Sequence, residues 1–345
     1  MIDTKIMKSG VSGVGLKIRY LWLGKLLNYE YWPIWVFYIP IGAYITYLAM
    51  KARSATFFTG VNPSIKDSGI IRYSKSAILD SIPEAFKPRG ILMHPSEKIT
   101  SLPSFLSFPL IVKPDMGERG KGVTIVHNHD ELKAYSDSIG RNFILQEFCD
   151  SPNEAGIFYV RKPSESFGRI TSFSTKEFLH VIGDGKQNIG QLMFLNFRSR
   201  LQIERMDAEF LLKIPDNGEY VKLEPIGNHN RGTRFIKSNH LISKKLEAVF
   251  DDISKGICEF YYGRYDLKYN SLEELEDGKN FKIVELNGIN SEPAHIYDQK
   301  TGLINAYRDF FTHMRFMYEI SEENKARGFK RTKVLKFWYH LFLGR

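Results

Sequence analysis

Two short stretches decide how this chain folds: GRYDLKY at residues 263–269 and FKIVELNG at residues 281–288. In the first, Arg264, Asp266 and Lys268 alternate with Tyr265, Leu267 and Tyr269, and in the second Glu285 and Asn287 alternate. In extended strands each set therefore falls on one face. The polar, glycine-containing NSLEELEDGKN between them reads as a hairpin connection. Antiparallel pairing would bring two carboxylates and an amide oxygen together, hard donors suited to Mg²⁺, or to Mn²⁺, bridging nucleotide phosphates. Arg264 and Lys268 beside them could neutralise charge on a transferred phosphoryl group. A surface ladder of ion pairs would explain the Asp and the Arg, but not an Asn following Glu at the end of an apolar strand.

Upstream, VKPDMGERGKGV runs from Val112 to Val123. A strand delivers Lys113, Pro114 stops it, and Gly117, Gly120 and Gly122 make a loop whose backbone N–H groups can approach phosphate oxygens. It is not a Walker A sequence, which would need Gly-Lys-Ser/Thr opening a helix. Between the two signals, ILQEFCDSPNEAGIFYV reads as an apolar strand ending in Gln146-Glu147-Phe148-Cys149, a short turn, then Glu154 and another strand. Such a segment could hold adenine through backbone groups while a carboxylate takes the ribose hydroxyls; out of context, Glu147 and Glu154 are solvated turn residues. Two further elements are GDGKQNIGQL from Gly183, a turn opening a helix, and NHNRGTRF from Asn228, a loop with two cations.

Further strands are expected at Leu110–Val112, Val123–Val126, Phe143–Leu145, Gly156–Val160, Phe178–Ile182 and Val221–Leu223. Helices are expected at Lys75–Ile82, His129–Ser138, Asn188–Arg205, His240–Ile257 and Leu303–Ile320. The class is α+β with much antiparallel sheet and no internal repeat. At 345 residues and 43% hydrophobic, the chain has about two domains' worth of length and enough apolar surface for a sizeable core. The two cysteines, Cys149 and Cys258, are too far apart for a metal knuckle or a disulfide framework, which points to a reducing compartment.

The net charge of +9 belongs to the ends. Residues 1–53 hold seven Lys/Arg against two acids, residues 325–345 hold seven against none, and the middle is slightly acidic. No nucleic-acid recognition module accompanies the excess, so nucleic acid is not an expected partner. From Tyr31 to Met50 there is no charge, only YWPIWVFYIPIGAYITYLAM, long enough as a helix to cross a bilayer. Pro33, Pro40 and the crowd of Trp and Tyr argue instead for a helix lying at the headgroup level, the alternative being a helix buried against the rest of the chain. The C-terminal RTKVLKFWYHLFLGR is a basic amphipathic stretch of the kind that lies on an anionic leaflet or docks on the rest of the protein. The expected organisation is a basic, hydrophobic segment and linker over residues 1–74, a catalytic domain over 75–320 and a basic tail over 321–345. The expected location is cytoplasmic, at the inner face of a membrane. The sequence leaves the oligomeric state open.

A glycine loop after Val-Lys-Pro, a Gln-Glu-Phe segment, a Gly-Asp-Gly turn, Arg-Tyr-Asp and Glu-Leu-Asn, in that order, resemble the ATP-grasp superfamily, and within it carboxylate–amine ligases such as D-alanine–D-alanine ligase, glutathione synthetase and the ligase domain of cyanophycin synthetase. The likeness runs from about Lys75 to Tyr307. It implies two α/β subdomains gripping ATP. Lys113 would contact the α- and β-phosphates and Gly117–Gly122 would close over them. Gln146, Glu147 and Phe148 match the adenine hinge, Glu154 the ribose carboxylate and Lys176 the lysine entering the phosphate site. Asp266, Glu285 and Asn287 match the Mg²⁺ ligands, and Arg264 the arginine of the acyl-phosphate step. Such ligases usually begin with a Rossmann-like substrate domain, whose place here is taken by the apolar segment. The loop usually rich in Gly-Gly-Thr reads Arg231-Gly232-Thr233, and Gly-Ile-Asn-Ser-Glu-Pro-Ala-His follows Asn287. His229, Arg231, Asn290, Glu292 and His295 are therefore candidates for recognising a small carboxylate and an amine. The resemblance implies a ligase giving ADP and phosphate; a kinase-like relative phosphorylating a hydroxyl and a membrane-associated ATP-binding module without turnover are the alternatives.

Overall fold

The computed structural model describes residues 28–95, 97, 101–117, 120–224, 227 and 231–342. The chain divides into two compact units: Ile39–Thr175, Lys237–Ile296 and Thr301–Arg345 form the larger, and Met1–Tyr38, Lys176–Ile236 and Tyr297–Lys300 the smaller.

The larger unit holds two antiparallel sheets. One has four strands, β1 (Gly90–Met93), β2 (Leu110–Pro114), β3 (Thr124–Val126) and β4 (Phe143–Glu147), in the order β1-β4-β2-β3. Strands β2 and β4 take Leu110, Val112, Phe143 and Leu145 into a core that helix α3 (His129–Ile139) closes with Leu132. Asn128 starts α3 by accepting the Glu131 N–H, and Gly140 ends it in the left-handed region. The second sheet contains β5 (Asn153–Val160), β6 (Arg169–Glu177), β9 (Arg234–Lys237), β10 (Tyr262–Tyr269) and β11 (Phe281–Asn287), in the order β11-β10-β5-β6-β9. The chain leaves the larger unit within β6 and re-enters it within β9. Inward-facing Ile157, Tyr159, Tyr265, Leu267, Phe281 and Ile283 pack with Ile78 and Leu79 of α2 (Lys75–Asp80) and with Leu246, Phe250, Ile253 and Ile257 of or beside α7 (Lys244–Gly256). Within this dry layer Tyr159 donates to Asp251 and Tyr265 pairs with Ser254, so each buried hydroxyl is satisfied.

The smaller unit pairs β7 (His180–Ile182) with β8 (Tyr220–Lys222) and gathers α4 (Ile189–Leu195), α5 (Phe197–Arg200) and α6 (Ala208–Leu212) around Ile189, Met193, Ile203 and Leu211. The continuous helix expected over Asn188–Arg205 is in fact α4, α5 and a 3₁₀ turn. Asn196 breaks it by adopting an extended conformation and capping the next segment with its own side chain. The strand expected at Phe178–Ile182 is shorter, β7 over His180–Ile182, and β6, which ends at Glu177 just before it, is not among the expected strands. The expected hairpin connection after β10 contains a helical turn, α8 (Leu272–Glu276), started by the Ser271 hydroxyl.

The uncharged N-terminal stretch is helical, α1 (Ile34–Ala52), with Pro40 inside it. No helix among the described residues is long and apolar enough to cross a membrane. Helix α1 buries Ile41, Leu48 and Ala52, and its Tyr44 ring lies 5.1 Å from Phe311 of α9 (Leu303–Ala326). Seven residues further on in both helices, the Lys51 ammonium sits 4.9 Å over the Tyr318 ring, so α1 and α9 run side by side in the same direction.

Strands β10 and β11 approach so closely that a Cβ on Gly263 would lie 2.4 Å from the Asn287 carbonyl oxygen. Gly263→Ala must push the two strands apart, and a loss of about 1–3 kcal/mol is expected in urea unfolding. An unchanged midpoint would contradict this spacing.

Candidate functional site

The floor of the site is the β10–β11 pair. Arg264 lies opposite Asn287 and Asp266 opposite Glu285, but Leu267 lies opposite Ile283, which leaves Val284 without a partner. That extra residue is a β-bulge, and it changes the face on which the following side chains emerge. Phe281 and Ile283 point into the core; past the bulge the core residue is Leu286, and Glu285 and Asn287 stand on the opposite face with Arg264 and Asp266. Released from the ladder, the Val284 carbonyl accepts the Lys113 ammonium at 2.9 Å.

Three cations meet two carboxylates there. Lys113 comes from β2 and also donates to Gln146 Oε1 of β4 at 2.9 Å. Burial lowers its pKa to about 8, and Lys75 pushes the same way while Glu285 opposes both. Lys75 opens α2 and its Nζ lies 2.8 Å from Glu285 Oε1. Asp115, just beyond β2, accepts the Ser74 hydroxyl at 3.0 Å and the Ser76 N–H at 2.8 Å, so the chain that carries Lys113 also fixes the helix start that carries Lys75. Burial raises the Glu285 pKa, but Lys75, Lys113 and Arg264 outweigh it and hold the carboxyl below the usual glutamate range. Arg264 Nη2 donates to Asp266 Oδ2 at 3.0 Å and Nη1 to the Glu292 carbonyl at 3.2 Å. Burial disfavours its charge, yet Asp266 and Glu285 raise its pKa overall.

Asn287 donates to Asp266 Oδ2 at 3.0 Å and accepts the Tyr73 hydroxyl at 2.9 Å; Asn290 donates to that same hydroxyl at 3.2 Å. Asn290 Oδ1 is buried and has no hydrogen-bond partner among the described residues. A buried acceptor left this way costs free energy unless a donor arrives. No cluster of three or more His, Cys, Asp or Glu suited to a metal exists among the described residues. Two carboxylates and an amide nevertheless fit Mg²⁺ that is bound together with phosphates and water, because Mg²⁺ commonly takes one or two protein carboxylates and the rest from the nucleotide.

The remaining candidates separate into groups. Gln146, Glu147 and Phe148 lie at the end of β4, where the ladder stops. Glu147 is tied to Arg89 through its backbone N–H and its carboxylate. Glu154 is within β5, buried, and opposite Lys268. Lys268 shares the face of Arg264 and Asp266, but its ammonium sits 5.5 Å over the Phe148 ring, just beyond the end of β4. In the glycine loop, Gly120 and Gly122 adopt φ +67° and +75°, and a Cβ on Gly122 would meet Pro114 Cγ at 2.9 Å. Gly117 precedes a part of the loop outside the described residues. Lys176 and Arg231 belong to the smaller unit, where Lys176 lies 5.7 Å over the Phe235 ring and Arg231 Nη1 3.3 Å from Glu224. His229 lies outside the described residues. His295 is buried, with Nδ1 2.7 Å from Ser172 Oγ and Nε2 2.9 Å from Asp309 Oδ2; both ring nitrogens are engaged in holding the loop after β11 to β6 and α9. Sequence reasoning missed Tyr73, Lys75 and Asp115. The only available signal was Asp115 following Lys-Pro, which says nothing of a helix that begins forty residues earlier.

A carboxyl held low in the folded state contributes stability that is present above its unfolded pKa and is lost as pH falls through its folded pKa. Glu285 should therefore keep contributing until the pH is below the ordinary glutamate range. Lys75→Met removes its strongest attraction, so acid unfolding followed by circular dichroism should begin at higher pH than in the wild type. Coincident acid transitions would detach Lys75 from Glu285.

No family model matches the chain. No curated protein matches it either. Among solved structures it is similar to a D-alanine–D-alanine ligase from Bacillus anthracis, at 15% identity and TM-score 0.42, covering 74% of this chain and 69% of that one. A bifunctional glutathione synthetase from Pasteurella multocida aligns at 14% identity and TM-score 0.35, covering 67% of this chain and 35% of that one. An ADP complex of N5-carboxyaminoimidazole ribonucleotide synthetase aligns at 12% identity and TM-score 0.42, covering 74% and 54%.

Proposed function

We propose that the chain is an ATP- and Mg²⁺-dependent carboxylate–amine ligase of the ATP-grasp kind that works through an acyl phosphate. The observation that carries this reading is the convergence of Lys75, Lys113 and Arg264 on Asp266, Glu285 and Asn287, at the foot of a glycine hairpin that grows from the strand bearing Lys113. Cations in excess of carboxylates, in a largely buried setting, favour a polyanion.

Lys113 and the loop's backbone N–H groups hold the phosphates, and Gln146, Glu147 and Phe148 with Glu154 hold the nucleoside. When bound through Asp266, Glu285 and Asn287, Mg²⁺ would neutralise phosphate charge. A substrate carboxylate oxygen attacks the γ-phosphorus while the bond to the β-phosphate oxygen breaks, releasing ADP. Arg264 stabilises the negative charge on the transferring group from beside Asp266. The amine then attacks the acyl carbon, phosphate leaves with the electrons of the C–O bond, and the amine proton goes to solvent. The Asn290 Oδ1, unpartnered among the described residues, supplies an acceptor for a substrate N–H or O–H donor beside this centre.

Hydroxylamine tests the step, because it traps an acyl phosphate as a hydroxamate and leaves a phosphoester untouched. Incubated with ATP, Mg²⁺ and a metabolite extract, the wild type should yield a hydroxamate, ADP and phosphate, and Asp266→Asn should yield almost none. AMP and pyrophosphate as products, or full activity in Asp266→Asn, would refute the reading.

Lys113 must be protonated to bind phosphate, and its pKa is about 8 in the free protein. ATP affinity measured calorimetrically should be flat below that pH and fall above it, by about one decade per pH unit at most. Lys113→Ala should weaken binding by about 1.5–3 kcal/mol and flatten the profile. A fall of the same size in the folded variant would assign the titration to another group.

A further inference from the structure

Helix α1 and helix α9 leave an open groove of about 470 Å³ between them, lined by Tyr44, Ile304, Tyr307, Arg308, Phe311 and Arg315. Its base is aromatic, with Tyr44 and Tyr307 each about one ring-contact from Phe311, at 5.1 and 6.0 Å. The surfaces beside it are apolar and open to solvent: Ile304 is 78% exposed, Met50 67% and Ile39 62%. Arg315 is held by Glu319, but Arg308 has no acidic partner among the described residues. Large exposed apolar surface of this kind marks a contact site.

The C-terminal helix, α10 (Val334–Phe342), repeats the pattern. Its inner side is fixed: Phe337 packs edge-on against Phe58 at 5.4 Å, and His340 Nδ1 lies 2.6 Å from the buried Asp67. Just before it, Arg331 donates to the last carbonyl of α1, and Thr332 donates to Asp67. With that side occupied, Leu335, Trp338, Tyr339 and Phe342, at helical spacings of three and four, face outward, Leu335 being 86% exposed. Lys330, Lys333 and Lys336 flank them without acidic partners among the described residues, and the sequence has no acid after Glu323.

We propose that the outer faces of α1, α9 and α10 form a docking surface for the headgroup region of an anionic lipid bilayer, with no segment crossing it. Trp and Tyr favour the headgroup level, Leu, Ile and Phe enter the acyl boundary, and an anionic leaflet supplies the counter-charges that Arg308, Lys330, Lys333 and Lys336 lack. A second copy of the chain would place these same unpaired cations near one another, so charge complementarity selects the lipid surface.

The test is co-sedimentation of the full chain with sucrose-loaded vesicles of phosphatidylcholine, with or without phosphatidylglycerol. Two folded variants are compared, Arg308→Glu and the pair Leu335→Glu with Phe342→Glu, none of which touches the nucleotide site. The wild type should bind the phosphatidylglycerol vesicles far better than the neutral ones. Each variant should bind them roughly tenfold more weakly, with ATP affinity unchanged. A loss confined to one variant supports docking through that helix alone. The proposal is overturned if the wild type ignores vesicles, if neutral vesicles bind equally, or if neither variant loses affinity. It is also overturned if sedimentation shows a wild-type dimer that both variants break without any vesicle binding.

Discussion

One unpaired residue sets the chemistry of the larger unit. Counted along β11, Phe281, Ile283, Glu285 and Asn287 have the same parity, so in a regular strand all four would face the core with Phe281 and Ile283. A carboxylate there would be deprived of water and of cations. The bulge at Val284 resolves this conflict: it keeps the two apolar residues inside and turns Glu285 and Asn287 out to Asp266 and Arg264. It also frees a carbonyl that orients Lys113 across from the other sheet. Register, charge placement and the link between the two sheets all follow from that single insertion, and bulges are known to re-aim side chains beside functional sites.

Two of the three cations in the site have a carboxylate and the third does not. Lys75 occupies Glu285, Arg264 occupies Asp266, and Lys113 rests on two neutral oxygens. Lys113 is thus the cation without a carboxylate of its own, and its lowered pKa is the electrostatic signature of that position. The polyphosphate proposed to bind here would meet a charge already desolvated and aimed. The proposed Mg²⁺, by contrast, would have to compete with Lys75 and Arg264 for the two carboxylates, and phosphates bound with it would give the displaced cations a new partner.

Much of this was legible in the sequence because it depends on strand periodicity. Alternation placed Arg264, Asp266 and Lys268 on one face of β10, and the structure has them there. The convergence of Asp266, Glu285 and Asn287 was also legible, although the parity that suggested it is correct only because of the bulge, which no local signal announces. What sequence could not show were partners distant along the chain. Tyr73 and Lys75 enter the site because Asp115 caps their helix, and pattern reading has no access to a hydrogen bond between segments forty residues apart. The break at Asn196 was missed for a related reason. An apolar period continued through it, while a side chain competing for the helix backbone ended the helix.

The hydrogen bonds around His295 limit how the loop after β11 can act. With Nδ1 on Ser172 and Nε2 on Asp309, the imidazole has no nitrogen left for a ligand, and Ser172 is itself fully buried. The Ser172–His295–Asp309 chain therefore offers no reachable nucleophile. Its consequence is mechanical. The same loop is tied at Glu292 to Arg264, so one end is set by the arginine proposed to act on the phosphoryl group and the other by a histidine anchored to β6 and α9. Asn290 lies two residues before the first of these ties and donates to the Tyr73 hydroxyl, so the amide whose oxygen is unpartnered among the described residues is held in place. An acceptor fixed in advance loses little conformational freedom on binding, so a ligand that brings a hydrogen-bond donor to that oxygen would be favoured over one that leaves it unpaired.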